Sequence, residues 1–547
     1  MARRPSFSRA LIALCVLGLL SAACGGGGDK KSAGGTAGGG TADTIVIGTT
    51  DSLQNSFDPA QAYDYFASEV IQNTAETLVT YAPNATAPSP KLATHIDLTE
   101  DGLVYTFDLH DGIKFTDGTP VDATAVKFSL LRAKEFGAKD PEAAGFLLSG
   151  IDAIAVQSPT RVAIKLKRPD VTFLSRLAYS VASIVSIQAY KDNVLAGNEA
   201  QGPDVSGKYK TDTIVGSGPY KLVSYKEKES LEFEANPTYW GDKAKTKRIL
   251  VRLFDKSSAL KLAIQNHEVD IAFRSLQPDE NAFFKDRPGF KLVEGEGPGI
   301  RYVVFNVKAK PWDNVNMRRA VAAAIDRKAV VDEVFKGSAK ALPSMVPPTF
   351  PTSEPKWTDL YGTAGGAAAK TAVNKHLAVA GVAPGEKVPV DFWYSPTHYG
   401  DTEANLAEVI SRSLEQTGRF SVHTSNVEWA EYGKKRRAGE MPVFLMGWYP
   451  DYLDPDDYLE PFADPAIFDP AKWEDKKMLD LVHAQEGELD PDKRVTAIKA
   501  AQSYMADQAP YVPVFQIAQF AATNDKVSGV VLDPIQIFRY WLLEKKG

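Results

Sequence analysis

Residues 388–427 constrain the fold of this chain more than any other segment, because they follow a strand–helix–strand pattern. Residues 388–394 and 420–424 each alternate apolar with polar side chains, as half-buried strands do. The helix between them ends near Gly418, and its apolar face consists of Leu406, Val409, Ile410 and Leu414. A strand, a helix and a strand at this length form a parallel pair with a right-handed crossover. The sequence therefore predicts an α/β fold.

The rest of the chain also alternates strands with helices. Strands are predicted at Thr44–Thr49 and at Val104–Leu109. Helices are predicted over Phe66–Val79, after a cap at Asp122, and from Met317 to near Gly337. No internal repeat is visible, and a chain of 547 residues is expected to contain several domains.

Residues 1–23 have the features of a signal peptide. A positively charged start precedes the apolar stretch Ala10–Leu20, which is shorter than the roughly 20 residues that a membrane-spanning helix needs. Cys24 follows small residues, as in a bacterial lipoprotein signal, where cleavage precedes a cysteine whose thiol carries the lipid. Ser21 stands where such signals prefer leucine, so a secreted protein cut near Ala22-Ala23 is the alternative.

The composition restricts the class of protein. Residues 24–42 are mostly Gly, Ala, Ser, Thr and Lys, which favours a flexible linker between the anchor and a folded domain. The chain has 2 cysteines, Cys15 and Cys24, so the mature domain would hold no disulfide and would depend on a large apolar core. A net charge of −7 argues against nucleic acid as the main partner.

Several blocks of sequence occur in the order and spacing of one known family. They resemble family 5 of the extracellular solute-binding proteins, which serve oligopeptide, dipeptide and nickel ABC importers. The blocks are PKLATHIDLTEDGLVYTFDLHDGIKFTDGTPVDATAVKFSLLRA at 90–133, VGSGPYKLVSYKEKESLEFEANPTYW at 215–240, AIQNHEVDIA at 263–272, FNVKAKPWDNVNMRRAVAAAIDR at 305–327 and MGWYPDYLDPDDYLEPF at 446–462.

The resemblance implies a particular α/β architecture. This is the periplasmic-binding-protein-like fold of type II, cluster C, with two lobes, an extra inserted domain and a hinge of two strands. The implied divisions are domain I at 43–85, 214–297 and 511–547, domain II at 86–213, domain III at 298–510, and hinge strands at Gly299–Tyr302 and Ala509–Val514.

The resemblance also implies a function. The protein would be the substrate-binding lipoprotein of an ABC importer, held on the outer face of the cell membrane by Cys24. It would capture a peptide by hinge closure and deliver it to the permease as a monomer. One alternative is the same fold binding an oligosaccharide or a metal chelate. Aromatic walls would favour the oligosaccharide, and the chain offers Trp393, Tyr394, Trp448 and Tyr449. Another is a surface adhesin or signalling receptor.

The block at 446–462 carries the main candidate ligand site. In peptide-binding members of the family, the aspartate at the place of Asp451 receives the α-ammonium group of the peptide, and a buried ammonium needs such a carboxylate. The resemblance also implies that the backbones of Gly447 and Tyr449 pair with the peptide as an added strand. Trp448 lies between them and is expected to pack beneath the loop.

The other end of a peptide needs a cation, and two arginines are candidates. Arg274 follows a predicted strand, and Arg301 lies at the implied hinge; either guanidinium could hold a carboxylate with two hydrogen bonds. The acidic run after Asp451 lacks the spacing of a calcium loop, and the histidines are scattered, so no metal site is predicted. No Gly-x-Ser-x-Gly or His-Glu-x-x-His motif occurs, so we predict neither catalytic residues nor a cofactor.

Overall fold

The structure of the protein is a computed structural model. It describes residues 43–54, 56–140, 143–193, 214–274, 276–396, 398–400, 402–468, 470–535 and 537–546. The predicted signal peptide, Cys24 and the linker lie outside the described residues.

A seven-stranded mixed sheet forms the centre of the first lobe. Its strands are β1 (Thr44–Thr49), β8 (Tyr220–Lys226), β9 (Ser230–Ala235), β10 (Arg248–Leu253), β11 (Ile271–Phe273), β12 (Phe290–Gly295) and β19 (Gln519–Asn524). They lie in the order β12-β19-β11-β1-β10-β9-β8. The bounds of β1 are those predicted, and β1 runs parallel to both of its neighbours. Apolar clusters cover both faces of the sheet.

An insertion with a four-stranded antiparallel sheet extends the first lobe. Its strands are β4 (Ala93–Leu98), β5 (Val104–Leu109), β6 (Ile151–Ser158) and β7 (Arg161–Leu166). β5 alternates half-buried with buried residues, as predicted. The cap at Asp122 is confirmed, because its carboxylate accepts a hydrogen bond of 2.9 Å from the backbone N–H of Ala125. Two strand pairs complete the described strands, β2 (Val79–Tyr81) with β3 (Pro88–Pro90) and β20 (Val527–Ser528) with β21 (Glu544–Lys545).

A six-stranded sheet forms the second lobe. Its strands are β13 (Ile300–Phe305), β14 (Ala339–Ala341), β15 (Val388–Tyr394), β16 (Phe420–Asn426), β17 (Val443–Trp448) and β18 (Tyr511–Ile517). They lie in the order β14-β18-β13-β17-β15-β16. β15 pairs with β16 in parallel, which confirms the predicted strand–helix–strand unit. The fold is thus a two-lobed α/β fold built on two mixed sheets.

The helices pack on the faces of these sheets. They are α1 (Tyr65–Thr74), α2 (Ala123–Lys139), α3 (Phe173–Leu177), α4 (Ser257–Gln265), α5 (Pro278–Phe284), α6 (Val315–Ala324), α7 (Arg327–Ala329), α8 (Lys356–Tyr361), α9 (Ala367–Val379), α10 (Glu403–Gln416), α11 (Trp429–Ala438), α12 (Lys476–Glu486) and α13 (Pro491–Gln508).

Two helices are shorter than predicted. α1 ends at Thr74 rather than Val79, because the chain turns extended at Ala75. The buried carboxylate of Glu76 then accepts hydrogen bonds from Ser217 and other donors. α6 ends at Ala324, well before Gly337, and a new cap at Asp326 begins α7.

The chain crosses between the lobes at places that differ from the prediction. Strand β18 pairs with β13 in the six-stranded sheet, although the predicted boundaries place the residues from 511 onward in domain I. The crossings lie between Gly295 and Ile300, and between Ile517 and Gln519. Pro513 fits within β18 because the register shifts at the adjoining residues of β13.

A close approach of the two crossing segments explains the glycine-rich sequence at this point. A side chain on Gly297 would place its Cβ 2.2 Å from the carbonyl oxygen of Ile517, which no substitution could tolerate without backbone movement. On the surface, ion pairs between Lys336 and Asp279 and between Lys340 and Glu296 also join the second lobe to the first. The remaining domain boundaries stay a prediction.

Candidate functional site

The loop that follows β17 leaves the second lobe and enters the first. Its residues Tyr452 and Leu453 are buried within the apolar core of the insertion. The backbone N–H of Leu453 donates a hydrogen bond of 3.2 Å to the hydroxyl of Tyr81. The rings of Tyr65 in the first lobe and Tyr449 in the second meet edge to face at 4.9 Å. The lobes are therefore closed around the start of this loop.

Asp451 lies at this junction. The residue is 4% exposed, and its Oδ2 accepts a hydrogen bond of 3.1 Å from the hydroxyl of Tyr63 in the first lobe. Its backbone N–H donates to Oδ2 of Asp457 at 2.8 Å. Among the residues that the structure describes, no lysine, arginine or histidine lies within ion-pair distance of the Asp451 carboxylate.

Burial changes the ionisation of this carboxyl group. Loss of water raises the pKa of Asp451 to about 7, while the hydrogen bond from Tyr63, the charge of Arg176 and the hydroxyl of Tyr179 act in the opposite direction. Burial, and then the charge of Asp451, raise the pKa of Asp457 as well. A cation placed beside Asp451 would remove much of the cost of keeping the carboxylate ionised.

One edge of β17 is only partly covered by another strand. β13 pairs with β17 along its whole length on one side, whereas β15 pairs on the other side only at Val443 and Phe444. Hydroxyl groups cover the next two positions on this edge. Tyr432 donates to the carbonyl oxygen of Leu445 at 2.6 Å, and the N–H of Gly447 donates to the hydroxyl of Tyr399 at 3.0 Å. The carbonyl oxygen of Gly447 also accepts from Tyr399 at 3.4 Å.

Arg301 lies directly beside Gly447. Its guanidinium pairs with the buried carboxylate of Glu403 and stacks on the ring of Tyr399, 3.5 Å from the ring centroid. Its Nη1 is buried and makes no hydrogen bond to the described residues. A side chain on Gly447 would place its Cβ 2.5 Å from that nitrogen, so glycine is required where the arginine crosses the strand.

The other predicted site residues have different surroundings. The guanidinium of Arg274 is held in the first lobe by Glu69 and Asp51, each at 2.7 Å. Trp448 packs beneath the loop as expected, with its ring against Phe462 at 5.4 Å. The structure therefore brings Asp451, Gly447, Tyr449 and Arg301 together, whereas Arg274 is already bound by two carboxylates.

A second buried charge cluster lies further along the same loop. Arg176 of the insertion donates to three carboxylates of the second lobe, at 3.0 Å to Asp456, 2.7 Å to Glu460 and 3.2 Å to Glu486. We call these four residues the Arg176 cluster. The three carboxylates are close enough to hold a metal ion, but the guanidinium occupies the space between them. The cluster fastens the two lobes together.

Comparison with known proteins identifies the family. The profile described as "Bacterial extracellular solute-binding proteins, family 5 Middle" matches residues 87–469. The chain belongs to this family. Its members bind solutes outside the cytoplasm and are not enzymes. Among the residues described, no helix is long and apolar enough to cross a bilayer.

The family 5 chain is similar to proteins that are named for different ligands. It is 27% identical to Heme-binding protein A of Haemophilus influenzae, over 87% of this chain and 88% of that protein. It is also 27% identical to the dipeptide-binding protein of Escherichia coli, over 84% of this chain and 86% of that protein. Its fold matches that of the periplasmic binding protein DppA from Helicobacter pylori in complex with the peptide STSA, with a TM-score of 0.77 and 23% identity, covering 92% and 98% of the chains.

Several residues at this family 5 site were not predicted from the sequence. Tyr63, Tyr179 and Arg176 come from the first lobe and its insertion, and none lies within a motif. Tyr399 and Glu403 lie near the start of α10, where the apolar pattern predicts only a helix face. A short-range signal existed only for Tyr63, which lies just before the helix cap at Asp64.

Proposed function

We propose that this family 5 protein binds peptides between its lobes and that Asp451 receives the α-ammonium group of the peptide. The observation that carries the proposal is the buried Asp451 carboxylate, which has hydroxyl donors but no ion-pair partner among the described residues. An ammonium group supplies the missing charge and three hydrogen-bond donors. Few neutral solutes could compensate a buried carboxylate in this way.

The edge of β17 supports an extended ligand. Gly447 presents both of its backbone polar groups to this edge, where the hydroxyl of Tyr399 satisfies them. Because alternate residues of a strand face the same edge, the backbone of Tyr449 is expected to continue it. A short peptide bound beside Tyr449 would add main-chain hydrogen bonds as an extra strand does, and it would end at Gly447, where Tyr399 is bound.

Arg301 is the better of the two cations for the ligand carboxylate. It pairs with one carboxylate, that of Glu403, and its guanidinium lies over Gly447, where its buried Nη1 makes no hydrogen bond to the described residues. Arg274, in contrast, already pairs with two carboxylates, so a third would add negative charge to a negative site. We therefore assign the carboxylate end of the peptide to Arg301.

The proposal extends to the place of the protein in the cell. A signal peptide that ends before Cys24 would export the chain, and lipid on Cys24 would anchor it to the outer face of the membrane through the flexible linker. The closed, loaded protein would then deliver the peptide to the permease of an ABC importer. The similarity to a dipeptide-binding protein and to a periplasmic binding protein in complex with a peptide supports this role.

The first test identifies the natural ligand. The protein is purified without denaturation and measured by native mass spectrometry, since a closed cleft retains its ligand. Added masses that fragment into amino-acid residues are the expected result. A hexose ladder or a single chelate mass would replace the peptide with the alternative solutes considered above. If no solute is retained or bound in later titrations, a receptor or adhesin becomes the better explanation.

The second test isolates the amine. Calorimetry compares dialanine with N-acetyl-dialanine, which differs by the loss of the ammonium charge. We expect the acetylated peptide to bind at least tenfold more weakly, because it leaves the Asp451 carboxylate without a cation. Equal affinity for the two peptides would contradict the assignment of Asp451 to the amine. Dialanine amide serves as the matched control, since it removes charge at the other end only.

A further inference from the structure

We propose that Tyr399 and Glu403 act as an internal stop in the cleft, so that the protein accepts short peptides and rejects longer ones. This inference rests on the proposed function, because it takes peptides as the ligands. It assigns Tyr399 as the residue that determines the length of the ligand. Four observations carry it, each from the part of the chain that the structure describes.

First, Tyr399 uses the groups that a longer peptide would need. An extended ligand on the edge of β17 must exchange hydrogen bonds with the N–H and C=O of Gly447. Both groups already bond to the hydroxyl of Tyr399, at 3.0 Å and 3.4 Å. The phenol thus stands where the backbone of a longer ligand would lie.

Second, the carboxylate of Glu403 already pairs with Arg301, the cation that lies next to Tyr399. The side chain of Glu403 is 2% exposed and pairs with Arg301, whose guanidinium lies on the ring of Tyr399. Loss of water raises the pKa of Glu403, and the charge of Arg301 lowers it. A carboxylate supplied by the protein therefore takes one side of Arg301, and its buried Nη1, which makes no hydrogen bond to the described residues, remains for the carboxylate of a ligand.

Third, other side chains hold the stop in place. The ring of His398 stacks on Trp429 at 3.6 Å, and the ring of Tyr399 meets the same Trp429 edge to face at 5.5 Å. Glu403 begins α10, whose apolar face is buried against the second sheet. Displacing Tyr399 would break these contacts together with its stacking on Arg301.

Fourth, the available length is limited. The backbone from Asp451 to Gly447 spans at most about 14 Å, since each residue extends no more than about 3.6 Å. A peptide whose amine lies at Asp451 thus meets Tyr399 within its first three or four residues. A free carboxylate at that point reaches the remaining donor of Arg301, whereas a continuing chain collides with the stop.

The test compares the full-length protein with a Tyr399→Ala variant, using dialanine, trialanine and pentaalanine as ligands in calorimetry. We expect the unmodified protein to bind dialanine or trialanine at least tenfold more tightly than pentaalanine. Tyr399→Ala should reduce that ratio at least fivefold by admitting the longer chain. Tyr504→Ala is the matched control, because Tyr504 is a half-buried tyrosine of α13 whose hydroxyl bonds to Asp475 and not to Gly447.

A second variant keeps the test decisive if Tyr399→Ala does not fold, as judged by circular dichroism. Tyr399→Phe retains the ring but removes the hydroxyl that competes for Gly447, and it should reduce the ratio at least twofold. Equal binding of the short and long peptides by the unmodified protein would overturn the stop while leaving the peptide function intact, and so would a ratio that neither variant changes. If none of the three peptides binds, the proposed function fails and the stop fails with it.

Discussion

Two aspartates of one loop, Asp451 and Asp456, are both buried between the lobes, but their charges are compensated differently. Asp456 is 0% exposed and lies in the Arg176 cluster, where a guanidinium from the other lobe donates directly to it. Asp451 is 4% exposed and receives hydroxyl donors only. The protein places a guanidinium beside Asp456, although burial and the charge of Glu460 still raise the pKa of Asp456 to about 8, and it places no cation within ion-pair distance of Asp451 among the described residues.

The difference indicates that one site holds the lobes together and that the other binds the ligand. At the Arg176 cluster, three carboxylates and one guanidinium hold the lobes together whatever lies in the cleft. At Asp451, closure without a ligand buries a carboxylate at an energetic cost, and a bound cation removes that cost. A ligand with an ammonium group is thereby favoured over an empty closed state, because it places a cation beside Asp451.

The largest effect on peptide affinity is expected from Arg176→Met, which removes the guanidinium that donates to Asp456. The variant leaves three carboxylates together in a buried site, and the loss of one partner of a buried ion pair costs about 3–5 kcal/mol. We therefore expect peptide affinity, measured by calorimetry, to fall by a factor on the order of 100 or more.

Arg168→Met is the matched control for that variant. Arg168 pairs with the same Glu486 at 2.6 Å, but its side chain is 42% exposed. Glu486 is buried, but water screens the exposed guanidinium of Arg168, so its loss should cost less than the loss of Arg176 and change affinity less than tenfold. Equal effects of the two substitutions would show that burial of the Arg176 cluster is not what holds the lobes together.

The next largest effect is expected at Asp451. Asp451→Asn keeps the shape of the side chain but removes its charge, so peptide affinity should fall at least tenfold in calorimetry. The variant should also lose the discrimination between dialanine and its acetylated form. Asp391→Asn, an exposed aspartate of β15, is the control and should change neither value. Unchanged peptide affinity in Asp451→Asn would show that Asp451 does not bind the ligand, and the contrast with Asp456 would lose its meaning.

A smaller effect is expected from Tyr63→Phe. The variant removes one hydroxyl donor from the Asp451 carboxylate across the lobe junction, at a cost of about 1 kcal/mol, and affinity should fall threefold to tenfold. Tyr504→Phe removes a similar tyrosine–aspartate hydrogen bond of 2.9 Å, to Asp475, on the helical surface. That control should leave peptide affinity unchanged, and a similar loss in both variants would indicate a general loss of stability.

The smallest effect is a dependence of closure on pH. Burial raises the pKa of Asp451 to about 7, so the closed, ligand-free form binds a proton that the open, hydrated form releases. Closure without ligand is therefore favoured at low pH and becomes less favourable as the pH rises toward 7. Small-angle X-ray scattering should show a smaller radius of gyration at pH 5 than at pH 8, with a reduced difference in Asp451→Asn. A larger radius of gyration at pH 5 than at pH 8 would contradict this prediction.

The sequence predicted those parts of the molecule that depend on short-range patterns. Alternation in Val388–Tyr394 and the apolar face of α10 place a parallel strand pair without any knowledge of the other lobe. Asp451 could be predicted because its block resembles a family segment. A hinge strand was predicted at Ala509–Val514, which contains Pro510 and Pro513, but β18 begins at Tyr511 and continues through Pro513, where the register shifts.

The partners of Asp451 could not be predicted, because they come from distant parts of the chain. Tyr63 lies 388 residues before Asp451, and Arg176 lies 280 residues before Asp456. Neither residue belongs to a local pattern, since a single tyrosine or arginine in a half-buried segment has many possible surroundings. Only the packing of one lobe on the other selects these pairs, and that packing depends on the whole surface of both.

The surface pair of Asp279 and Lys336 gives this protein a practical use. The two side chains are 69% and 57% exposed and face each other from opposite lobes. The chain has 2 cysteines, Cys15 and Cys24, and both precede the folded domain. A mature domain with cysteines introduced at 279 and 336 could carry a pair of thiol-reactive fluorophores at those positions alone. Such a labelled protein would report each capture and release of its ligand as a change in fluorescence.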